Sequence, residues 1–385
     1  MRVFITDGHY KHTLAVVRSL GKRNIYLIVG SHFKYSQSFY SKYCNERIVY
    51  PNPRNEDKFI QFIMDYLEKK QIDVLLPIGY SVNVILSKYK EKISHYVSLP
   101  TADYKMMRVF SDKLKTMKIA KKLGIPIPIT ISVNRFTNLK EKMQKSNISF
   151  PLVVKGKKDS SNIFFANSYN ELKSIIQNNQ GLIIQEYIPG DGYGFFALFN
   201  KGEARAIFMH KRIREYPITG GPSVVAESFY DSKLKKVGLK LLKELNWHGV
   251  AMVEFKKDNR DGEFKLIEVN PKFWGSLDLA IVAGVDFPYL TVKMATEGDI
   301  MSKFNYKTGL RFRWIFPGDV LYLLAKPTSI YNFISDFLKK NVRTDICLSD
   351  IKPNLFQFYV TISQIVSRLK KRSLKYPYGR PINNQ

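Results

Sequence analysis

Cysteine is almost missing from this chain: Cys44 and Cys347 are the only two among 385 residues. They lie far apart, with no CxxC pair and no metal-ligand spacing. A disulfide framework and a thiolate zinc centre are therefore excluded, and a reducing, cytoplasmic setting is expected. Long apolar runs are also missing. No uninterrupted stretch approaches the roughly 20 residues a membrane-crossing helix needs. The amino terminus runs straight into a strand-like segment without the architecture of a signal peptide. Asp7-Gly8 follows that first strand, but no GxGxxG does, so the dinucleotide fingerprint is lacking. Acidic residues are scarce: 33 Asp and Glu stand against 61 Lys and Arg, a net charge of +28. Such an excess suits nucleic acid, an anionic membrane surface, or an anionic small-molecule site. The cations are scattered, and neither a zinc-finger pattern nor an aromatic RNA-binding motif accompanies them. No specific nucleic-acid partner is expected, and the charge points to anionic ligands in general.

A hydrophobic content of 45%, with 14% aromatics, is enough to build a sizeable core. The most informative acids lie near the middle of the chain. Residues 250–255 and 264–270 both read as buried strands, and the polar stretch 258–262 between them is a turn signal. The pair predicts an antiparallel hairpin that sets Glu254 beside Glu268. Asn270 lies two residues on, hence on the same face as Glu268. Two carboxylates and an amide oxygen at the end of apolar strands are hard oxygen ligands of the kind Mg²⁺ takes, with Mn²⁺ as the alternative. A solvated strand end is the other reading of the same residues.

The segment 268–276, Glu-Val-Asn-Pro-Lys-Phe-Trp-Gly-Ser, resembles the terminal motif of the ATP-grasp ligases, whose metal-binding strand ends in Glu-x-Asn-Pro-Arg. Four further segments match in order. Asp112-Lys113 opens a helix that Gly124 and Pro126 stop. Residues 150–155 form a strand delivering Lys155. Residues 183–190 resemble the hinge that contacts adenine. Residues 210–223 resemble a segment of the carbamoyl-phosphate-synthase-like and carboxylate–amine ligase branch. The resemblance implies a mixed α/β and α+β architecture in three parts: a Rossmann-like parallel-sheet domain over 1–105, a two-lobed ATP-grasp domain over 106–300, and a basic helical extension over 301–385.

It also implies a function: an ATP-dependent ligase joining a small-molecule carboxylate to an amine through an acyl-phosphate. A phosphotransferase or carbamate-forming activity is the alternative within the family. An ATP-binding protein without turnover, or a basic nucleic-acid or membrane-surface binder, is the alternative outside it. Because phosphoryl transfer is mostly positioning and charge stabilisation, cations should carry it. Lys155 and Lys113 are the expected phosphate contacts, with Lys211 beside them and the hydroxyls of Ser160 and Ser161 in the loop after Lys155. Glu186, Tyr187 and Ile188 would meet adenine largely through backbone, and Asp191 would meet the ribose. Arg212 and Arg214, two apart on a strand and so on one face, are expected to hold carboxylate or phosphoryl oxygens. Lys272 joins them.

Two departures from the family stand out. The loop after Lys155 reads Gly-Lys-Lys-Asp-Ser-Ser-Asn rather than glycine-rich. Position 272 is lysine where relatives carry arginine, which keeps the charge but loses the planar fork.

Beyond residue 301 the resemblance fades. This stretch holds fifteen Lys and Arg against four acids. Phe358, Ile362, Ile365, Val366 and Leu369 recur at helical spacing beside a cationic cluster. That stripe is expected to pack back onto the core, with peripheral contact to the inner face of an anionic membrane as the alternative. Oligomeric state and substrate identity are not legible.

Overall fold

The computed structural model describes residues 1–133, 138–157 and 163–375. Three sheets organise it. The first is wholly parallel: β1 (Arg2–Ile5), β2 (Tyr26–Ser31), β3 (Glu46–Val49) and β4 (Val74–Leu76), in the order β3-β2-β1-β4. Its inner strands are runs of Val, Ile, Leu and Phe with almost no exposed surface, as a parallel sheet covered on both faces requires.

The second sheet is antiparallel, built from β5 (Thr130–Val133), β6 (Leu152–Gly156), β7 (Ile163–Ala166) and β8 (Leu182–Glu186), in the order β5-β8-β6-β7. The helix Lys113–Lys122 precedes it. That helix is started by Asp112, whose carboxylate accepts from the backbone N–H groups of Leu114 and Lys115. Gly124 then takes a positive φ of 67° and turns the chain out of the helix.

The third sheet has seven strands. β9 (Gly192–Asn200), β10 (Glu203–Glu215), β11 (Ser223–Ser228), β12 (Gly249–Lys257) and β13 (Phe264–Asn270) are joined by two short strands from late in the chain, β14 (Arg311–Arg313) and β15 (Val342–Thr344). The order is β13-β12-β9-β10-β11-β14-β15. Alternate residues of β9 enter two different cores. Phe196 and Leu198 pack with Trp274, Phe208 and the first sheet's Val3 and Ile5, whereas Phe195, Ala197 and Phe199 pack under Leu234, Leu241 and Leu242 of the helix Ser232–Glu244. Fully burying an aromatic or aliphatic side chain contributes about 1.5–3 kcal/mol, so this doubly covered sheet is the rigid platform of the molecule.

The late segment is stapled to that platform. Arg18, on the helix Lys11–Gly21, donates to an Asp350 carboxylate oxygen at 2.9 Å, to the Asp345 and Asp350 carbonyls, and to the Asn354 side chain. The terminal helix Lys352–Lys370 docks, but not by the expected face. Its buried residues are Pro353, Asn354, Gln357 and Thr361, and Gln357 Nε2 donates to Gln37 at 2.7 Å. Of the predicted stripe, only Ile365 joins a core, packing near Tyr216, Val224 and Leu321. Phe358, Ile362, Val366 and Leu369 are 46–57% exposed. The expectation of a core-facing stripe is corrected here: most of the stripe stays half exposed, and the helix is held by its polar partners together with Phe356 stacked on Tyr40, Phe358 edge-on to Phe316, and Ile365. Among the described residues no helix is long and apolar enough to cross a membrane.

Candidate active site

The second and third sheets face each other across a cleft of about 1040 Å³. Val153, Lys155 and Phe165 line one side; Arg212, Glu254, Phe255 and Glu268 line the other. Hinge residues 186–188 and Gly190 to Gly192 close the back, and Tyr322 and residues 325–328 from the late segment reach its edge.

The acids are where the hairpin pattern puts them. β12 and β13 pair antiparallel with Glu254 directly opposite Glu268 and Met252 opposite Asn270. Directly opposed like charges are unfavourable unless cations intervene. Here Arg212 Nη2 donates to Glu254 at 2.5 Å, and Lys113 Nζ lies 3.7 Å from Glu268. Asn270 Nδ2 donates to the other Glu254 oxygen at 3.1 Å.

Lys155 ends β6 with only 5% of its surface exposed. Burial, opposed by Glu268, pushes its ammonium down from 10.5 to about 8. A buried cation of this kind gains when an anion arrives. Arg212 is also largely enclosed. Burial works against its charge, but Glu254 and Glu215 outweigh that and hold it firmly protonated. Its Nε is buried without a hydrogen-bond partner.

Arg214 sits in a different environment. A bulge between Arg212 and Arg214 breaks the register with β11, yet both residues line the cleft. Arg214 lies 3.1 Å from Asp319 and donates to Asp336 at 2.8 Å, and those two carboxylates are almost fully buried. Arg313 shares Asp319 at 2.8 Å.

The hinge is shaped by backbone. Gly190 has a φ of +139°, and a Cβ there would fall 1.9 Å from the Lys257 carbonyl, so no other residue brings the hinge this close to β12. Glu186 spends its carboxylate on Arg260 at 2.6 Å and on the Ile129 N–H at 3.2 Å, leaving its neighbours to face the cleft. Asp191 pairs with Lys211 at 2.8 Å; Asp191 lines the cleft, and Lys211 stands outside the lining residues. Lys272 follows the acidic strand, its N–H bonded to the Asn270 carbonyl at 2.9 Å, and lies near His12 of the first domain, whose imidazole is pushed well down by burial and then by Lys272. Ser160 and Ser161 lie outside the described residues. Sequence reasoning missed Lys256, which spans the cleft floor: its Nζ donates to the Ile188 carbonyl at 2.8 Å and sits 5.0 Å over the Tyr187 ring. Its signal was alternation, since Glu254 and Lys256 share one face of β12.

Two α+β lobes enclosing a cleft floored by paired acids and lined by buried cations define the ATP-grasp class. A model of the RimK-like ATP-grasp domain matches residues 110–193. A model described as "ATP-grasp in the biosynthetic pathway with Ter operon" matches residues 178–316. Together they span more than half of the chain, which belongs to the ATP-grasp ligase superfamily, whose members bind ATP.

Among curated relatives, a D-aspartate ligase of Enterococcus faecium is 23% identical over 295 residues, covering 69% of this chain and 68% of that protein. A coenzyme gamma-F420-2:alpha-L-glutamate ligase of Methanococcus maripaludis is 29% identical over 172 residues, covering 42% of this chain and 58% of its own length. Among solved structures, an ADP complex of N5-carboxyaminoimidazole synthetase from Staphylococcus aureus superposes with a TM-score of 0.67 at 13% identity, covering 86% of both chains. L-amino acid ligase from Bacillus licheniformis superposes at 0.62 with 16% identity, covering 77% of this chain and 74% of its own. At these identities the superpositions establish the fold.

Proposed function

We propose that the protein is an ATP-dependent ligase joining a carboxylate to an amine through an acyl-phosphate, with release of ADP and phosphate. The observation that carries this reading is the direct register of Glu254 and Glu268 opposite buried Lys155, with Arg212 and Lys113 already bridging to the acids. Adenine is read against Tyr187, Ile188 and the apolar walls Val153 and Phe255, and the ribose against Asp191. Lys155 and Lys113 would hold phosphate oxygens, and Arg212, with its unbonded Nε, would hold the oxygens of the carboxylate being activated. Arg214 is read as a strut that fixes β10 to the late segment. Lys272, which is not among the residues lining the cleft, would present a point charge to the donor carboxylate or the transferring phosphoryl group.

The oxygen set of Glu254, Glu268 and Asn270 fits Mg²⁺ or Mn²⁺, which leave positions for water and phosphate oxygens. Bound there, such an ion would neutralise phosphate charge during transfer. The curated relatives are named for ligations of D-aspartate and L-glutamate, so an amino acid is the first substrate class to screen. The deciding experiment is ADP release from Mg-ATP with pooled amino acids and small amines, followed by mass spectrometry of the product. A new amide supports the reading, whereas ADP formation with a phosphorylated acceptor and no amide supports phosphotransfer instead.

A further inference from the structure

The helix Lys352–Lys370 is turned with its polar side inward. Leu355, Phe358, Ile362, Val366 and Leu369 recur on one face and are 46–61% exposed. Asn354, Gln357 and Thr361 on the opposite side are buried. This orientation is locked. Asn354 accepts from Arg18 at 3.0 Å and donates to Gln357 at 2.8 Å, and Gln357 reaches Gln37. Rolling the helix to hide its apolar face would strand those buried groups, each of which is costly to leave unpaired. Thirteen of the 27 exposed large hydrophobic side chains among the described residues fall between Ile330 and Leu369. They include Tyr331, Ile334 and Leu338 of the helix Ile330–Leu338, at 56–83% exposure.

The charges around this surface are of one sign. Only four acids follow residue 301, and all are buried: Asp319, Asp336, Asp345 and Asp350, at 0–6% exposure. Asp319, Asp336 and Asp350 are bound to Arg214, Arg313 or Arg18. Lys339 is paired with Asp336 at 2.8 Å, whereas Lys340, Lys352, Lys370, Lys371 and Arg372 face solvent without a nearby exposed carboxylate from this segment. A second copy of the chain would set cations against cations, because the helix carries no acid to meet them. Nucleic acid would satisfy the charges and leave the apolar face wet.

We propose that this face docks the protein on an anionic lipid surface, with the helix lying in the interfacial plane. Its 19 residues make about 28 Å of helix. One apolar stripe edged by Lys and Arg is the pattern of a helix that lies on a membrane rather than through it. Each basic residue near such a surface strengthens partition about fivefold, and salt weakens it.

The test is co-sedimentation of the full chain with phosphatidylcholine vesicles, alone or mixed with phosphatidylglycerol. Binding is expected to the mixed vesicles only, to fall with added salt, and to resist competition by soluble glycerophosphate. Ile362→Ser with Val366→Ser should cut partition tenfold or more while the melting temperature stays unchanged. Lys370→Glu with Lys371→Glu should do the same through charge. Equal binding to neutral vesicles, or none to the mixed ones, overturns the proposal. So does a dimer in light scattering that the two serine substitutions dissolve, which would assign the face to a second copy.

Discussion

Arg212 and Arg214 stand two residues apart on one strand, each paired with carboxylates, yet they belong to different kinds of structure. Arg212 meets Glu254 at the wall of an open cleft, where both side chains keep 15–23% of their surface. Arg214 meets Asp319 and Asp336 where both acids are 0–5% exposed, and a second arginine completes the cluster. An ion pair left partly wet can exchange its partner for a ligand. One sealed in the interior can only be broken at high cost, because removing one side strands a buried charge. The difference separates the groups free to do chemistry from those that hold the late segment in place.

The comparison breaks most sharply under matched substitutions. Arg214→Met should destabilise the fold by about 3–5 kcal/mol, as loss of one partner from a buried pair does. Arg212→Met should cost less stability than Arg214→Met, because Glu254 keeps access to water, but lower turnover by roughly 10²–10³, the usual loss for one electrostatic catalytic group. Denaturant melts and initial rates on both variants check the pair of outcomes. Equal stability losses would erase the distinction.

A smaller effect follows from Lys155. Its ammonium is depressed to about 8, so phosphate binding should restore the proton and draw one from solution. Nucleotide affinity should hold below pH 8 and weaken above it, by at most about tenfold per pH unit for one linked proton. Fold stability should move the opposite way: the buried charge costs stability below about pH 8, and that cost is relieved as pH rises toward 10.5. Calorimetry in buffers of different ionisation enthalpy would detect the proton uptake, and its absence between pH 7 and 9 would remove Lys155 from the phosphate site. The smallest change expected is Lys272→Arg, which preserves charge and restores the fork common among relatives; Lys272→Met should abolish turnover at unchanged melting temperature.

The cleft was more legible than the staple for physical reasons. Strand periodicity and a turn signal are local, so a hairpin carrying Glu254 and Glu268 follows from residues 250–270, while their direct opposition rests on a register shift between Glu254 and Phe255. Asp112 caps its helix through a bond three residues long. Arg214, by contrast, finds its acids 105 and 122 residues away, and no local pattern announces them. The bulge that separates it from Arg212 is equally silent, because strand alternation assumes unbroken pairing. The terminal helix shows the limit of periodicity: spacing reveals an apolar stripe, but which side docks was decided by Gln37 and Arg18, more than 300 residues upstream.

The central claim is that Glu254 and Glu268 jointly serve nucleotide chemistry in the cleft. Glu268→Gln keeps the side chain's shape and removes one anion, so it separates that role from a structural one. With Mg-ATP and a productive substrate pool saturating, ADP release should fall by roughly 10²–10³ while the melting temperature without ligand stays near that of the parent protein. ADP release by Glu268→Gln at the parental rate would contradict the account.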